Sequence, residues 1–236
     1  MQGKHYLLNL YCGKVAKRYG IVTAMDKRPV NTPLYLSRQG LAGDECADQR
    51  HHGGLERALH QYPAEHYAYW HAKYGDNNTE HHVGQDKPWR TAGMGENLSS
   101  IGMTEQTVCL GDRYQWGQAI IEVSQPRSPC FKLNKRWGRA DFSVVMQEIS
   151  RCGWLYRVIQ PGMVSVDEPL ELIARVRNAM TIKAVCETFF ADPLNRDKLQ
   201  ALGQQSTLSA SWQAKVQQRL ATQQIENWNF RLLGHA

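Results

Sequence analysis

The spacing of apolar positions changes twice along the chain. Up to about residue 60, short apolar pieces such as HYLLNLY (5–11) and PLYLS (33–37) alternate with Gly, Pro and polar runs. That is the pattern of brief strands joined by irregular loops. PAEHYAYWHAKY (63–74) reads as a helix, with Pro63 in its first turn and Ala64, Tyr67, Ala68, Trp70 and His71 on a mostly aromatic face. The polar, Gly- and Pro-punctuated stretch 76–92 is expected to be an inserted surface loop.

From about 107 to 176 the pattern is β. TVCLGDRYQWG (107–117), AIIEVSQ (119–125) and GWLYRVIQPGMVSVDEPLELIARV (153–176) supply short β-rich runs separated by Gly- or Pro-containing turns. Between them DFSVVMQEIS (141–150) places Phe142, Val145, Met146 and Ile149 at i, i+3, i+4 and i+7, which predicts a helix. Beyond Asn178 the spacing is helical throughout. Thr181 is the expected N-cap for an apolar stripe of Ile182, Val185, Cys186, Phe189 and Phe190. RDKLQALGQQ and LSASWQAKVQQRLATQ predict two more helices, the second with Trp212, Val216 and Leu220 at intervals of four. The expected organisation is a mainly β domain over 1–177 and a small three-helix domain over 178–236. A strand-rich chain with few helices most simply removes its sheet edges by closing into a β-barrel.

Composition narrows the function classes. With 42% hydrophobic and 21% charged residues the chain has globular composition. No apolar run reaches the ~20 residues that span a bilayer, and the N-terminus lacks a secretory apolar core, so a cytoplasmic protein without a membrane partner is expected. The net charge of +6 permits anionic ligands, but no Lys/Arg block is dense enough for a nucleic-acid arm, and a nucleic-acid partner is not expected. The six cysteines contain no CxxC pair and read as free thiols.

One of these thiols is set apart. In VSQPRSPCFKLN (123–134) Cys130 follows a proline, and Arg127 and Lys132 bracket it. Pro126 and Pro129 stiffen the loop, and nearby cations favour the thiolate that attacks electrophiles or binds metals. The residues leave a nucleophile, a ligand and a buried structural thiol all open. The second candidate cluster is GLAGDECADQRHHGGLERALHQYP (40–63). Here Asp44, His51, His52, Gly53 and Gly54 could set imidazole and backbone N–H groups around a phosphate or heterocycle. A protein-ligated zinc is not expected, because His66 and His71 are off one helical face and no HExxH or Cys/His pairing occurs. His81 and His82 read as solvated. The third piece, GMGENLSSIGMTE (93–105), offers Glu96 and Asn97 on a Gly-rich turn.

Taken in order, GLAGDECADQRHHGGLERALHQYPAEHYAYW, GENLSSIGMTE, LGDRYQWGQAIIEVSQPRSPCFKLN and GWLYRVIQPGMVS resemble the MOSC family. That family is named for the C-terminal domain of molybdenum-cofactor sulfurase, and the likeness is greatest to its YiiM branch, whose barrel is followed by three helices. The resemblance implies a β-barrel that holds the molybdenum cofactor, a pterin dithiolene with a phosphate and a molybdenum centre. It makes Cys130 the protein ligand to the metal and the catalytic residue. Asp44, His51, His52, Gly53, Gly54, Asn97, Arg127, Lys132 and Asn134 become candidate cofactor-binding residues, with Arg127 and Lys132 serving either the thiolate or the cofactor phosphate. Met94 stands where the family often carries an aromatic residue.

The implied reaction is reduction of N-hydroxylated compounds such as 6-N-hydroxylaminopurine, related hydroxylamines and amidoximes, a detoxification. A separate reductase would donate the electrons, since no flavin or nicotinamide motif is visible. The terminal helices could dock that partner, cover the pocket, or pair two copies as a homodimer. Two other readings stand beside this one: a sulfur carrier forming a persulfide on Cys130 for cofactor maturation, and a non-enzymatic binding module working through its helices.

Overall fold

A computed structural model describes residues 3–75 and 88–235 of the chain. Most of the expected 76–92 insertion, with His81 and His82, therefore lies outside the described residues. In chain order the strands are β1 (Lys4–His5), β2 (Leu7–Cys12), β3 (Ala16–Arg18), β4 (Ile21–Thr23), β5 (Arg28–Pro29), β6 (Leu34–Ser37) and β7 (Gly40–Leu41). They continue with β8 (Leu59–Pro63), β9 (Leu98–Ser100), β10 (Arg113–Trp116), β11 (Ala119–Pro126), β12 (Trp154–Gln160), β13 (Gly162–Val164) and β14 (Leu170–Ala174). The helices are α1 (Gln49–His52), α2 (His66–Tyr74), α3 (Phe131–Trp137), α4 (Phe142–Glu148), α5 (Ile182–Cys186), α6 (Arg196–Gly203), α7 (Ala210–Thr222) and α8 (Asn229–Leu233).

Nine strands form one sheet in the order β1-β14-β10-β11-β12-β8-β9-β2-β5. All its pairs are antiparallel except β8 with β9, and the long connection between those two, which includes α2, is what a parallel pair needs. The ladder starts at β1 and ends at β5, and no pairing joins those strands among the described residues. The closed barrel expected from sequence is thus not found, although the sheet-rich, helix-decorated fold is. Tyr6 separates the first two strands. β1 pairs with β14 and β2 with β9, so the N-terminal segment reaches both sides of the ladder, but the two pairings are interrupted between His5 and Leu7.

Strand β11 is the spine of the sheet. Ile121 and Val123 are fully buried and belong to one hydrophobic cluster with Trp116, Trp154, Tyr156 and the helical residues Ile182, Val185, Cys186, Leu199 and Trp212. The C-terminal helices therefore complete the core of the sheet. Thr181 caps α5 as expected, its hydroxyl accepting from Ala184 N at 3.1 Å. The helix runs on through a π turn at Glu187–Ala191, which carries Phe189 and Phe190 onto Trp212.

Two local expectations need correction. Pro63 ends β8, opposite Ser100, and the helix starts three residues later at His66, because pairing with β9 keeps 59–63 extended. The run expected as strand from 107 becomes one only at Arg113. Before it, the buried Asp112 carboxylate accepts from Cys109 N at 2.8 Å and bonds Arg175 at 2.6 Å, which folds 109–112 into a turn.

A second cluster holds Tyr62, Tyr67, Trp70, Trp89, Met94, Leu133, Trp137, Phe142 and Met146. Trp89 stacks on Trp137 with centroids 3.9 Å apart, and Trp70 packs on Phe142 at 4.5 Å. Ring pairs of this kind add about 0.5–1.5 kcal/mol each beyond area burial. The cluster anchors α3 and α4, and with them the loop that delivers Cys130.

Candidate functional site

Strand β11 leads directly into the candidate site. Arg127 N still donates to Gly153 O at 3.1 Å. The chain then leaves the sheet, and Cys130 stands in extended conformation immediately before α3. Cys130 is buried (4% exposed) and borders a cavity of about 1190 Å³. Most of its wall comes from the 37–60 region, the 94–97 turn, the 125–132 segment and the C-terminal residues 211–231, with further residues from 15–27 and Leu155.

Of the candidates read from sequence, Asp44, His51, His52, Gly53, Gly54, Asn97, Arg127, Cys130 and Lys132 all line this cavity. His52 Nε2 is 3.9 Å from Cys130 Sγ. Although its surface opens on the cavity, the surrounding protein desolvates it, and with Lys132 and Arg127 nearby its pKa falls to about 4. At neutral pH it is an uncharged imidazole beside the sulfur. His51 Nδ1 is held 3.1 Å from both oxygens of Asp48, which also caps α1 through His51 N. Gly54 has φ of +103°, and a Cβ there would meet no atom within 4 Å, so its backbone is open to close approach by a ligand.

The two cations around Cys130 differ. Lys132 Nζ lies 3.9 Å from Asp48. Arg127 reaches only the Met146 sulfur, at 3.7 Å, and among the described residues no carboxylate pairs with it.

Asn134 is a correction. It lies outside the cavity lining, on the buried side of α3, where its amide donates to Ala140 O (2.7 Å) and Leu232 O (2.8 Å) and accepts from Ser143 N (2.8 Å). It joins α3, α4 and α8, and both its amide hydrogens are spent inside the protein.

Asn97 lines the cavity, and its amide is already bonded at both ends. Its Oδ1 accepts from His60 N at 3.1 Å, and its Nδ2 donates to Tyr11 O at 3.1 Å and Asp44 Oδ2 at 2.8 Å. The geometry makes it a brace for Asp44, which in turn binds Gly13 N at 2.7 Å and Lys27 Nζ. Asn97→Ala should therefore destabilise the cofactor-free protein by about 1–3 kcal/mol, the usual penalty for leaving buried partners unsatisfied. Urea denaturation measures this, and unchanged stability would return Asn97 to a pure ligand-contact role.

Several lining residues had no sequence signal. Lys27, with a side chain only 6% exposed, comes from an unremarkable loop. His60 and Gln125 project from β8 and β11, both paired across Leu155 of β12. His60 Nε2 and Gln125 Oε1 are buried without a hydrogen-bond partner. Burial, with Arg127 next, pushes the His60 pKa well below its ordinary value. Arg231, from α8, donates to Pro129 O and to Gln147 Oε1, both at 2.6 Å, and so clamps the peptide next to Cys130.

The stretch that carries His52, Asn97, Arg127 and Cys130 lies within a match to a family's sequence model. The "MOSC domain" model matches residues 48–171 and a "YiiM-like, 3-alpha helix domain" model matches 180–223. The chain belongs to the MOSC family. This MOSC chain is 40% identical over 230 residues to protein YiiM of Escherichia coli strain K12, covering 97% of this chain and 99% of that protein. The crystal structure of Escherichia coli YiiM superposes with a TM-score of 0.81 at 36% identity, over 98% of this chain and all of that one. A protein of Gibberella moniliformis named "Reductase" is 36% identical over 175 residues, which are 72% of this chain and 29% of that protein. MOSC domains are associated with binding the molybdenum cofactor.

The residues present suit such a group. A thiol is a soft donor. Among the described residues no three His, Cys, Asp or Glu side chains converge to hold a bare ion, so a metal at Cys130 would have to arrive with most of its own ligands. The cavity lining carries seven Lys/Arg (Lys27, Arg50, Arg57, Arg127, Lys132, Lys215, Arg231) against four Asp/Glu (Asp44, Glu45, Asp48, Glu226). That excess fits an anionic ligand, and the unpartnered His60 and Gln125 atoms add polar capacity beside it.

Proposed function

We propose that this chain is a molybdenum-cofactor-dependent reductase that removes oxygen from N-hydroxylated compounds, such as 6-N-hydroxylaminopurine and related hydroxylamines and amidoximes. The observation that carries this reading is the buried Cys130 sulfur at the wall of a cation-rich cavity, with uncharged His52 at 3.9 Å and Arg127 lacking a carboxylate. When bound, the cofactor supplies a two-electron centre able to accept an oxygen atom. In balance, R–NHOH, two electrons and two protons give R–NH₂ and water.

The chain's own residues set the conditions. Cys130 would ligate the metal, and its loop is fixed on one side by Arg127 N on Gly153 and on the other by Arg231 on Pro129. Such support around a ligand typically governs affinity by 10–100-fold. Arg127 and Lys132 would neutralise the cofactor's anionic groups. His52 and the Gly53–Gly54 backbone line the same wall and can hydrogen-bond its polar edges. In this reading the protein is cytoplasmic, and a separate reductase delivers the electrons.

The test is turnover. Protein from a cofactor-competent host, given an artificial electron donor, should reduce 6-N-hydroxylaminopurine or benzamidoxime to the amine or amidine. Loaded protein that reduces neither would refute the proposal. Sulfane sulfur on Cys130 without molybdenum would replace it by the sulfur-carrier reading.

A further inference from the structure

The C-terminal wall of the cavity carries more positive charge than its own carboxylates can offset. Arg57, Lys215 and Arg231 all line it, and the one carboxylate there, Glu226, is already engaged. Arg219 Nε and Nη2 reach its two oxygens at 3.0 and 2.8 Å, and Trp228 Nε1 donates to it at 3.1 Å. Lys215 Nζ lies 3.8 Å away, beyond hydrogen-bond length. Arg57 spends its guanidinium on the His51 carbonyl at 2.6 Å and the Ser211 hydroxyl at 3.3 Å. Arg231 spends its own on Pro129 and Gln147. These bonds fix the two arginines in place without neutralising them.

Burial, more than any neighbour, lowers the pKa of Arg57, of Lys215 and of Arg231, the last to about 10. For Lys215 the nearby Glu226 carboxylate opposes this, while the repulsion of Arg231, Arg219 and Arg57 adds to it. Crowded, desolvated cations gain most from an incoming anion. Their position is also specific. Arg57 is tied to the neighbour of His52 and Arg231 to the neighbour of Cys130, so the group lies within one small molecule's reach of the sulfur. Trp228, Phe230 and Phe131 border the same space, with Phe230 64% exposed and 6.5 Å from Phe131. They are faces on which a planar ring can stack.

We propose that Arg57, Lys215 and Arg231 form a phosphate subsite, and that the favoured substrate is an N-hydroxylated base carried on a sugar phosphate, not the free base. This rests on the reductase reading for its chemistry, while the subsite itself does not. A phosphate could also come from the cofactor, so the test separates the two sources.

Cofactor-loaded protein is titrated calorimetrically with adenosine monophosphate and with adenosine. The monophosphate should bind at least about tenfold more tightly, and Lys215→Met or Arg57→Met should erase that ratio, as expected for loss of one charged hydrogen bond. Melting temperatures of both variants identify any that fail to fold, and the other then decides. In turnover, the ratio of kcat/KM for N6-hydroxyadenosine monophosphate over 6-N-hydroxylaminopurine should fall about tenfold in the same variants. Equal affinity for nucleotide and nucleoside overturns the proposal. So does loss of pterin from Lys215→Met with nucleotide discrimination intact, which would give the subsite to the cofactor's phosphate. If neither substrate turns over, the reductase reading fails, and the binding arm still decides the subsite.

Discussion

On the proposed reading, replacing Cys130 by alanine is expected to bring the chain's molybdenum and pterin content to background, and turnover with it. Cys130 is the one thiol placed on the cavity wall beside His52, Arg127 and Lys132. The other cavity cysteine, Cys46, donates to the Asp48 carbonyl at 3.4 Å, just before α1. With Cys130 as the proposed ligand, its removal would leave only hydrogen bonds and charge to hold a cofactor. Removing a mere support already costs 10–100-fold, so a loss above about 100-fold is expected for the ligand itself. Elemental analysis and pterin fluorescence of the wild type and Cys130→Ala, expressed side by side, check this. Because Cys130 is N-terminal to α3 and its side chain makes no cap hydrogen bond, the variant should keep its melting temperature in the cofactor-free state. Full cofactor content in the variant would remove Cys130 from the site.

The second large effect is on stability. Arg219 is fully buried. It pairs with Glu226 through two hydrogen bonds, donates to Phe189 O at 2.7 Å, and lies 3.7 Å over the Phe189 ring. Arg219→Met should cost about 3–5 kcal/mol, because it strands Glu226 without its partner. For a chain of this size that is on the order of 10 °C in Tm. Burial alone would raise the Glu226 pKa, but the bonds from Arg219 and Trp228 outweigh it and hold the carboxyl at about 2. A depressed carboxyl stabilises the fold above its unfolded pKa of ~4.3 and loses that contribution as pH falls towards 2. Wild-type stability should therefore drop between about pH 5 and pH 2, and Glu226→Gln should flatten that slope. Denaturation across this range measures both. An unchanged slope in Glu226→Gln would show that the pair contributes little.

Local patterns in the sequence carried the parts of the fold that local physics decides. Thr181 as a cap and the Phe142–Met146 stripe were legible because each needs only neighbours within a turn. The stiff, cation-flanked Cys130 was legible for the same reason. Helix α3 was not, since the prolines before it suggested a loop, and Leu133 and Trp137 are helical because Trp89 and Phe142 receive them. Asn134 looked like part of the cysteine motif, yet one step along a helix turned it away from the cavity onto Leu232 O. The bracing bonds of Asn97 were not legible, since its partners Tyr11, Asp44 and His60 come from three distant segments. Arg57, Lys215 and Arg231 could not be grouped at all, because only the packing of α7 and α8 brings residues 57 and 231 to one wall.

The Arg231 clamp on Pro129 has a consequence for when the site can exist. Strand β11 and Cys130 emerge from the ribosome long before residue 231. Until α8 follows and docks, the cysteine loop lacks one of its two restraints and the cavity lacks a wall. Whatever is held at Cys130 is therefore expected to be held less tightly in a chain whose residue 231 has not yet docked than in the folded one.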